Sequence, residues 1–272
     1  MGLRLGEYEA VAVVVCLGLF LVIQCTSRAQ IRVTPAYLEG YLNGKKAINV
    51  MNLGQDDYSV VVRVVKGAHD LNGNPIIGMN NTNISGPYCR PIPARFLLQS
   101  GEEREICLAV EGLEGTEGGV YPMVLFEFCP IIEAEARPIS TTYSIAVLGL
   151  LTSPDNQHVR GRIGEMTICQ SNDGKSFEVS ILVENTGNVH FLPEGEVVIL
   201  GHGMELCRLP VETGIILPTY ARQFRVVWFS EHTTPGPYVA RAMFTLDHKN
   251  AVWLTRDLDF EIGASGLTNL GE

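Results

Sequence analysis

The chain has 272 residues, 46% hydrophobic and 18% charged, which is enough apolar material for two cores rather than one small one. Its formal net charge of −10, with no Lys/Arg cluster to offset it, repels phosphate backbones and excludes nucleic-acid binding. The 28 glycines and 14 prolines fall between short apolar runs, not in one tract, which excludes a collagen-like or disordered chain.

Residues Ala10 to Ile23 form an uncharged run, AVAVVVCLGLFLVI. It is shorter than the roughly 20 residues of a membrane-spanning helix and matches the core of an export signal. Arg4 precedes it, diluted by Glu7 and Glu9, and Ser27-Arg28-Ala29 offers a small-x-small cleavage site that leaves Gln30 as the first mature residue. Read as uncleaved, the same hydrophobic helix anchors the chain in a membrane, and Cys25 raises a lipoprotein reading although Gln24 precedes it. Each reading carries the body out of the cytoplasm, to the periplasm or cell surface.

Strands are expected in the body. Ile31 to Thr34 leads into Pro35, Lys46 to Asn52 alternates, and Tyr58 to Val65 (YSVVVRVV) alternates with β-branched residues. Asp70 to Pro75 (DLNGNP) holds an Asn-Gly turn signal, and residues Ile77 to Pro93 read as a long polar loop. Strands follow at Ala94 to Leu98, Glu103 to Val110 and Gly119 to Phe128, and then at Thr141 to Leu151, which is almost continuously apolar. The run Leu151 to Gly164 breaks the pattern with Pro, Asp, Asn and Gly. The expected organisation is therefore a leader over 1–29, a first sandwich over 30–151, a linker over 152–164 and a second sandwich over 165–272.

The second unit repeats the rhythm with strands at Gly164 to Cys169, Ser176 to Asn185, Gly195 to Leu200, Glu205 to Leu209, Arg222 to Trp228, Gly236 to Leu246 and Val252 to Ile262. No segment after Ile31 shows a helical period. The fold class expected is all-β, two immunoglobulin-like β-sandwiches in tandem behind an N-terminal hydrophobic helix.

Five cysteines lie beyond the leader: Cys89, Cys107, Cys129, Cys169 and Cys207. None has metal-ligand spacing. In an oxidising compartment Cys169 with Cys207 forms one candidate disulfide and two of the first three another, with buried free thiols the alternative. His190 and His202 flank one hairpin and read as separate histidines, not as a metal pair. Asn185 to Asn188 reads as a turn, and the glutamates around Glu102 and Glu111 as solvated charge. Asn80-Asn81-Thr82 and Asn83-Ile84-Ser85 match glycosylation sequons. No nucleophile elbow, phosphate loop or paired-carboxylate signature occurs, so neither enzymatic activity nor a metal or cofactor is expected.

The segments MNLGQ (51–55), RFLLQSGEEREICLAV (95–110) and GGVYPMVLFEF (118–128) resemble, in order, the first domain of periplasmic pilus chaperones, the PapD-like family. VENTGNVHFLPEGEVVIL (183–200), ILPTYARQFRVVWF (216–229) and PGPYVARAMF (235–244) are similar to the second domain of related envelope proteins. The resemblance implies a client protein bound by addition of a strand to the last strand of the first domain. Tyr143, Ile145, Val147 and Gly149 then form one face of the client-binding strand. It also implies a carboxylate anchor in the cleft between domains, for which Arg32 is the candidate. The sequence departs from the family pattern there, because no lysine lies between Gly67 and Gly174. Two functions follow: a pilus or surface-protein chaperone, or a structural or adhesive envelope component using its sandwiches as spacers.

Overall fold

The computed structural model describes residues 30–77, 89–111, 116–131, 142–172, 174–229, 234–247, 249–264 and 266–270. The leader and both sequons lie outside the described residues. Among those residues there is no helix, and the chain runs through eighteen strands.

Strands up to Thr152 make one pair of sheets. The first sheet orders β1 (Ile31–Thr34), β3 (Gly44–Asn52), β7 (Glu103–Val110) and β5 (Cys89–Ile92) as β1-β3-β7-β5. The second orders β2 (Tyr37–Tyr41), β10 (Tyr143–Thr152), β9 (Pro122–Pro130), β4 (Tyr58–Lys66) and β6 (Arg95–Leu98) as β2-β10-β9-β4-β6, with β8 (Gly119–Val120) also against β10. Alternation places Tyr58, Val60, Val62 and Val64 of β4 inward, where they meet Ile48, Val50, Ile106, Leu108, Phe126 and Phe128. Burying each such side chain stabilises the fold by about 1.5–3 kcal/mol.

Strands from Gly161 onward make a second pair. β11 (Gly161–Gln170), β12 (Ser176–Asn185) and β15 (Ala221–Phe229) form a three-stranded sheet. β14 (Met204–Val211), β13 (Glu194–Gly201), β16 (Gly236–Asp247), β17 (Val252–Gly263) and β18 (Gly266–Leu270) form the other, in that order. Phe177, Val179, Ile181 and Val183 alternate inward from β12 against Tyr238, Ala240, Ala242 and Phe244 of β16. Trp228 stacks on Phe177 at 5.1 Å between ring centroids.

Two expectations need correction. The long loop expected over Ile77 to Pro93 contains a strand: Cys89–Ile92 pairs antiparallel with Cys107–Val110. Proline at Pro91 is tolerated because β5 is an edge strand. The disulfide expected between Cys169 and Cys207 is not formed. Cys169 is an exposed free thiol on β11, an edge of the three-stranded sheet, while Cys207 lies on β14, an edge of the opposite sheet. Cys89 and Cys107 are likewise free thiols.

The two sandwiches touch along two seams. In one, Gly119 N–H donates to Asn188 O at 3.0 Å and His190 N–H to the Tyr121 hydroxyl at 2.7 Å. Asn188 also holds the connecting segment 153–160: its Oδ1 accepts His158 N–H at 2.7 Å, and its Nδ2 donates to Asn156 O at 2.8 Å. The Asn185 to Asn188 turn is thus a structural joint. In the other seam the loop after β4 meets the segment before β15 and the start of that strand, with Gln223 N–H on Leu71 O at 2.7 Å and Leu217 N–H on His69 Nε2 at 3.2 Å. The Asn72-Gly73 turn shapes that loop. Gly73 has φ +83°, and a Cβ there would collide with the Arg222 guanidinium.

Candidate functional site

Among the described residues β10 is an apolar strand paired on one side along only part of its length. On one side it pairs antiparallel with β9, from Tyr143 opposite Phe128 to Leu148 opposite Met123. On the other it pairs parallel with β2, but only from Leu148 opposite Tyr37 to Thr152 opposite Tyr41. Among the described residues no strand pairs with Tyr143 to Val147 on that side.

The register says which backbone groups face the open side. Leu148 N–H donates towards β2, to Ala36 O at 3.3 Å. Alternate residues of a strand point their N–H and C=O groups the same way, so those of Ser144 and Ala146 face the edge that no described strand pairs with. An edge of this composition is a template for another strand.

Side chains divide with the pleat. Tyr143, Ile145 and Val147 point towards the sandwich core. Tyr143 is 47% exposed and sits edge-on to Tyr58 at 6.4 Å, Ile145 is half-buried against the core, and Val147 is 1% exposed. Gly149 is buried, where a Cβ would meet Pro122. Of the four residues assigned to one client-binding face, Tyr143 and Ile145 are therefore accessible and Val147 and Gly149 pack the fold itself.

The other face of β10 looks into a cleft between the sandwiches. Ala146 joins Val65, Met123 and Leu125 in a small apolar cluster on the outer side of the sheet. Ala146, Leu148 and Met123 then line a cavity of about 440 Å³, whose opposite wall is Leu192, Ile215 and Arg222 of the second sandwich. Arg222 has no ion-pair partner among the described residues, and its guanidinium lies against the Phe224 ring at 5.7 Å.

Arg32 is elsewhere. It lies on β1, an edge of the sheet that does not contain β10, and its guanidinium donates to Met51 Sδ at 3.0 Å in an exposed setting. Among the described residues the cation that lines the cavity beside β10 is Arg222. No signal marks it in the sequence, because its place depends on β15 meeting a loop some 150 residues earlier in the chain. His190 and His202 fall before and after β13, and they bond different partners, Tyr121 and Thr234. Among the described residues no three His, Cys, Asp or Glu side chains gather as a metal site.

No protein-family model matches the chain, and no curated protein matches it. Solved structures with a similar fold include a chain from a chaperone–tip adhesin complex of CFA/I fimbriae, at 12% identity over 84% of this chain and 98% of that one, with a TM-score of 0.46. The class 5 fimbriae chaperone CfaA aligns at 10% identity over 84% and 98%, with a TM-score of 0.45. A chain from the Salmonella enterica SafA pilin–SafB chaperone complex aligns at 14% over 85% and 97%, with a TM-score of 0.41. At such identities and scores, the likeness decides no property of this chain.

Proposed function

We propose that this chain is an extracytoplasmic, non-enzymatic chaperone-like protein that holds a pilus or surface-protein client by adding the client's strand to the uncovered edge of β10. The observation that carries the reading is the half-length cover of β10: β2 stops at Leu148, while the apolar strand continues to Tyr143. A client strand laid there finds the N–H and C=O groups of Ser144 and Ala146 for its ladder. Tyr143 and Ile145 supply apolar contact on one face, and Ala146 and Leu148 do so on the cleft face. Arg222 offers a positive charge to an acidic group of the client. Residues 30–151 are the client-facing sandwich in this reading, 152–164 the linker and 165–272 the second sandwich. The apolar segment at Ala10 to Ile23 exports the chain, as a cleaved signal or an anchor.

The test is strand-specific. Ser144→Pro removes one of the ladder donors without placing a charge in the core. Partner capture from the native envelope, scored by amide exchange at Ser144 and Ala146, should show these two amides becoming protected in the complex, and capture should be lost in Ser144→Pro at an unchanged melting temperature. A captured partner that leaves both amides exchanging at their free rate would sink strand addition.

A further inference from the structure

Three polar side chains are buried among the described residues: Asn52, His69 and Asn185. The two asparagines fasten the sandwich to which each belongs, whereas His69 fastens one sandwich to the other. It is 8% exposed, on the loop after β4. Its Nδ1 lies 2.8 Å from Asp70 O, and its Nε2 takes the Leu217 N–H at 3.2 Å across 148 residues of chain. A neutral imidazole has one donor and one acceptor nitrogen. Here the Nδ1–H donates to the carbonyl and Nε2 accepts the amide, so both are used and the neutral tautomer is set by its partners. The ring lies against Tyr220 at 5.0 Å.

We propose that His69 is an acid-released latch between the two sandwiches: a proton taken up at Nε2 sets an N–H against the Leu217 N–H, and the seam parts at Leu217 while the Gln223 N–H to Leu71 O bond holds its other end. Other charged groups facing the ring are few. Arg222, from β15, opposes a second positive charge, whereas the neighbouring Asp70 favours one. The Asp70 carboxylate is already occupied by Asn72 N–H at 2.9 Å and by Asn74 N–H at 2.8 Å. Burial is the largest influence, and it holds His69 below the ordinary histidine value of about 6.5. The latch is therefore closed at neutral pH and opens on acidification.

The second seam responds differently. His190 Nδ1 lies 3.4 Å from the Tyr121 hydroxyl, with Glu39 the charged group facing the ring. A hydroxyl can donate to a bare nitrogen or turn and accept from an N–H, so proton uptake by His190 leaves that contact satisfied. A backbone amide cannot reverse in this way. Acid thus releases the Leu217 contact and retains the Gln223–Leu71, Gly119–Asn188 and Tyr121–His190 contacts. Ile215, two residues from Leu217, lines the cavity next to β10.

Amide exchange on the full chain, corrected for intrinsic rates, tests this from about pH 7.5 down to the onset of global unfolding. Below the His69 midpoint, protection at Leu217 should fall by about tenfold per pH unit, while Gly119 and His190 N–H keep theirs. His69→Gln, whose amide oxygen accepts the Leu217 N–H and does not titrate, should abolish the fall. Arg222→Gln removes the opposing charge and should move the midpoint to higher pH. Unchanged Leu217 protection across this range overturns the latch, as does an equal fall in His69→Gln. If His69→Gln does not fold, the Arg222→Gln midpoint decides, and a midpoint that stays in place overturns it.

Discussion

Asn52 and Asn185 are one device built twice. Each ends a long inner strand, β3 or β12, and each is buried. Asn52 Nδ2 donates to Asp56 O at 2.7 Å and Gln99 O at 3.0 Å, and its Oδ1 accepts Gly54 N–H at 2.9 Å. Asn185 Nδ2 donates to Val189 O and Ile216 O, both at 2.9 Å, and its Oδ1 accepts Gly187 N–H, also at 2.9 Å. In both sandwiches one amide turns the chain through Asn-x-Gly and ties that turn to a segment arriving from elsewhere in the fold.

Removing either amide strands buried carbonyls. Asn52→Ala and Asn185→Ala should each destabilise the protein by about 2–4 kcal/mol. Urea unfolding with unchanged m-values measures it, and a loss below about 1 kcal/mol would mean that water replaces the amide.

The two faces of β10 should respond oppositely to charge. Val147→Asp buries an unpaired carboxylate in the core and should cost about 4 kcal/mol or more. Ser144→Asp, at an exposed position, should stay within about 0.5 kcal/mol. Thermal melts of the two variants separate the outcomes.

Thiol reactivity should follow burial. Burial pushes the Cys89 thiol up to about 11, while Cys169 is exposed. Alkylation of the native protein near neutral pH should label Cys169 rapidly and Cys89 only after unfolding. Peptide mapping without reductant should find no peptide joining Cys169 to Cys207.

Acidification should weaken the fold in two windows. Burial holds His69 and His190 below their ordinary value, so the neutral form is the folded one. Their contribution is complete above the unfolded histidine value of about 6.5 and falls away as pH drops from there to the native values. Asp257 is held low by its bond from Arg241, Asp247 by Asn250, and Glu102 by the Gln99 N–H. A carboxylate depressed in the folded state contributes fully above the unfolded value of about 4, and that contribution is lost as pH falls through the native one. Melting temperature against pH should show both declines, with the upper one reduced in His69→Gln.

Much of the strand plan is legible in local pattern. β7 and β12 begin and end where alternation places them, at Glu103–Val110 and Ser176–Asn185, because each buries every second residue or nearly so. Three strands escape that signal. β2 buries only Leu38 of Tyr37 to Tyr41 and carries Gly40, while β5 buries only Cys89 and carries Pro91. β18 is a short edge strand after the last strong alternation. Each is held by pairing with a stronger neighbour, and such pairing leaves little period in the weaker strand.

What the sequence alone determined is the all-β class, most strands and the apolar character of Tyr143 to Thr152. These follow from a two-residue period that acts within one strand. Only the tertiary structure decided that β2 covers β10 from Leu148 onward and no further, that Arg222 lines the cleft in place of Arg32, that Cys169 and Cys207 sit on opposite sheets, and that His69 meets the Leu217 amide. Each of these is a meeting of segments far apart in the chain. Such meetings are set by sheet order and by the docking of two sandwiches, and neither leaves a local pattern in the residues that take part.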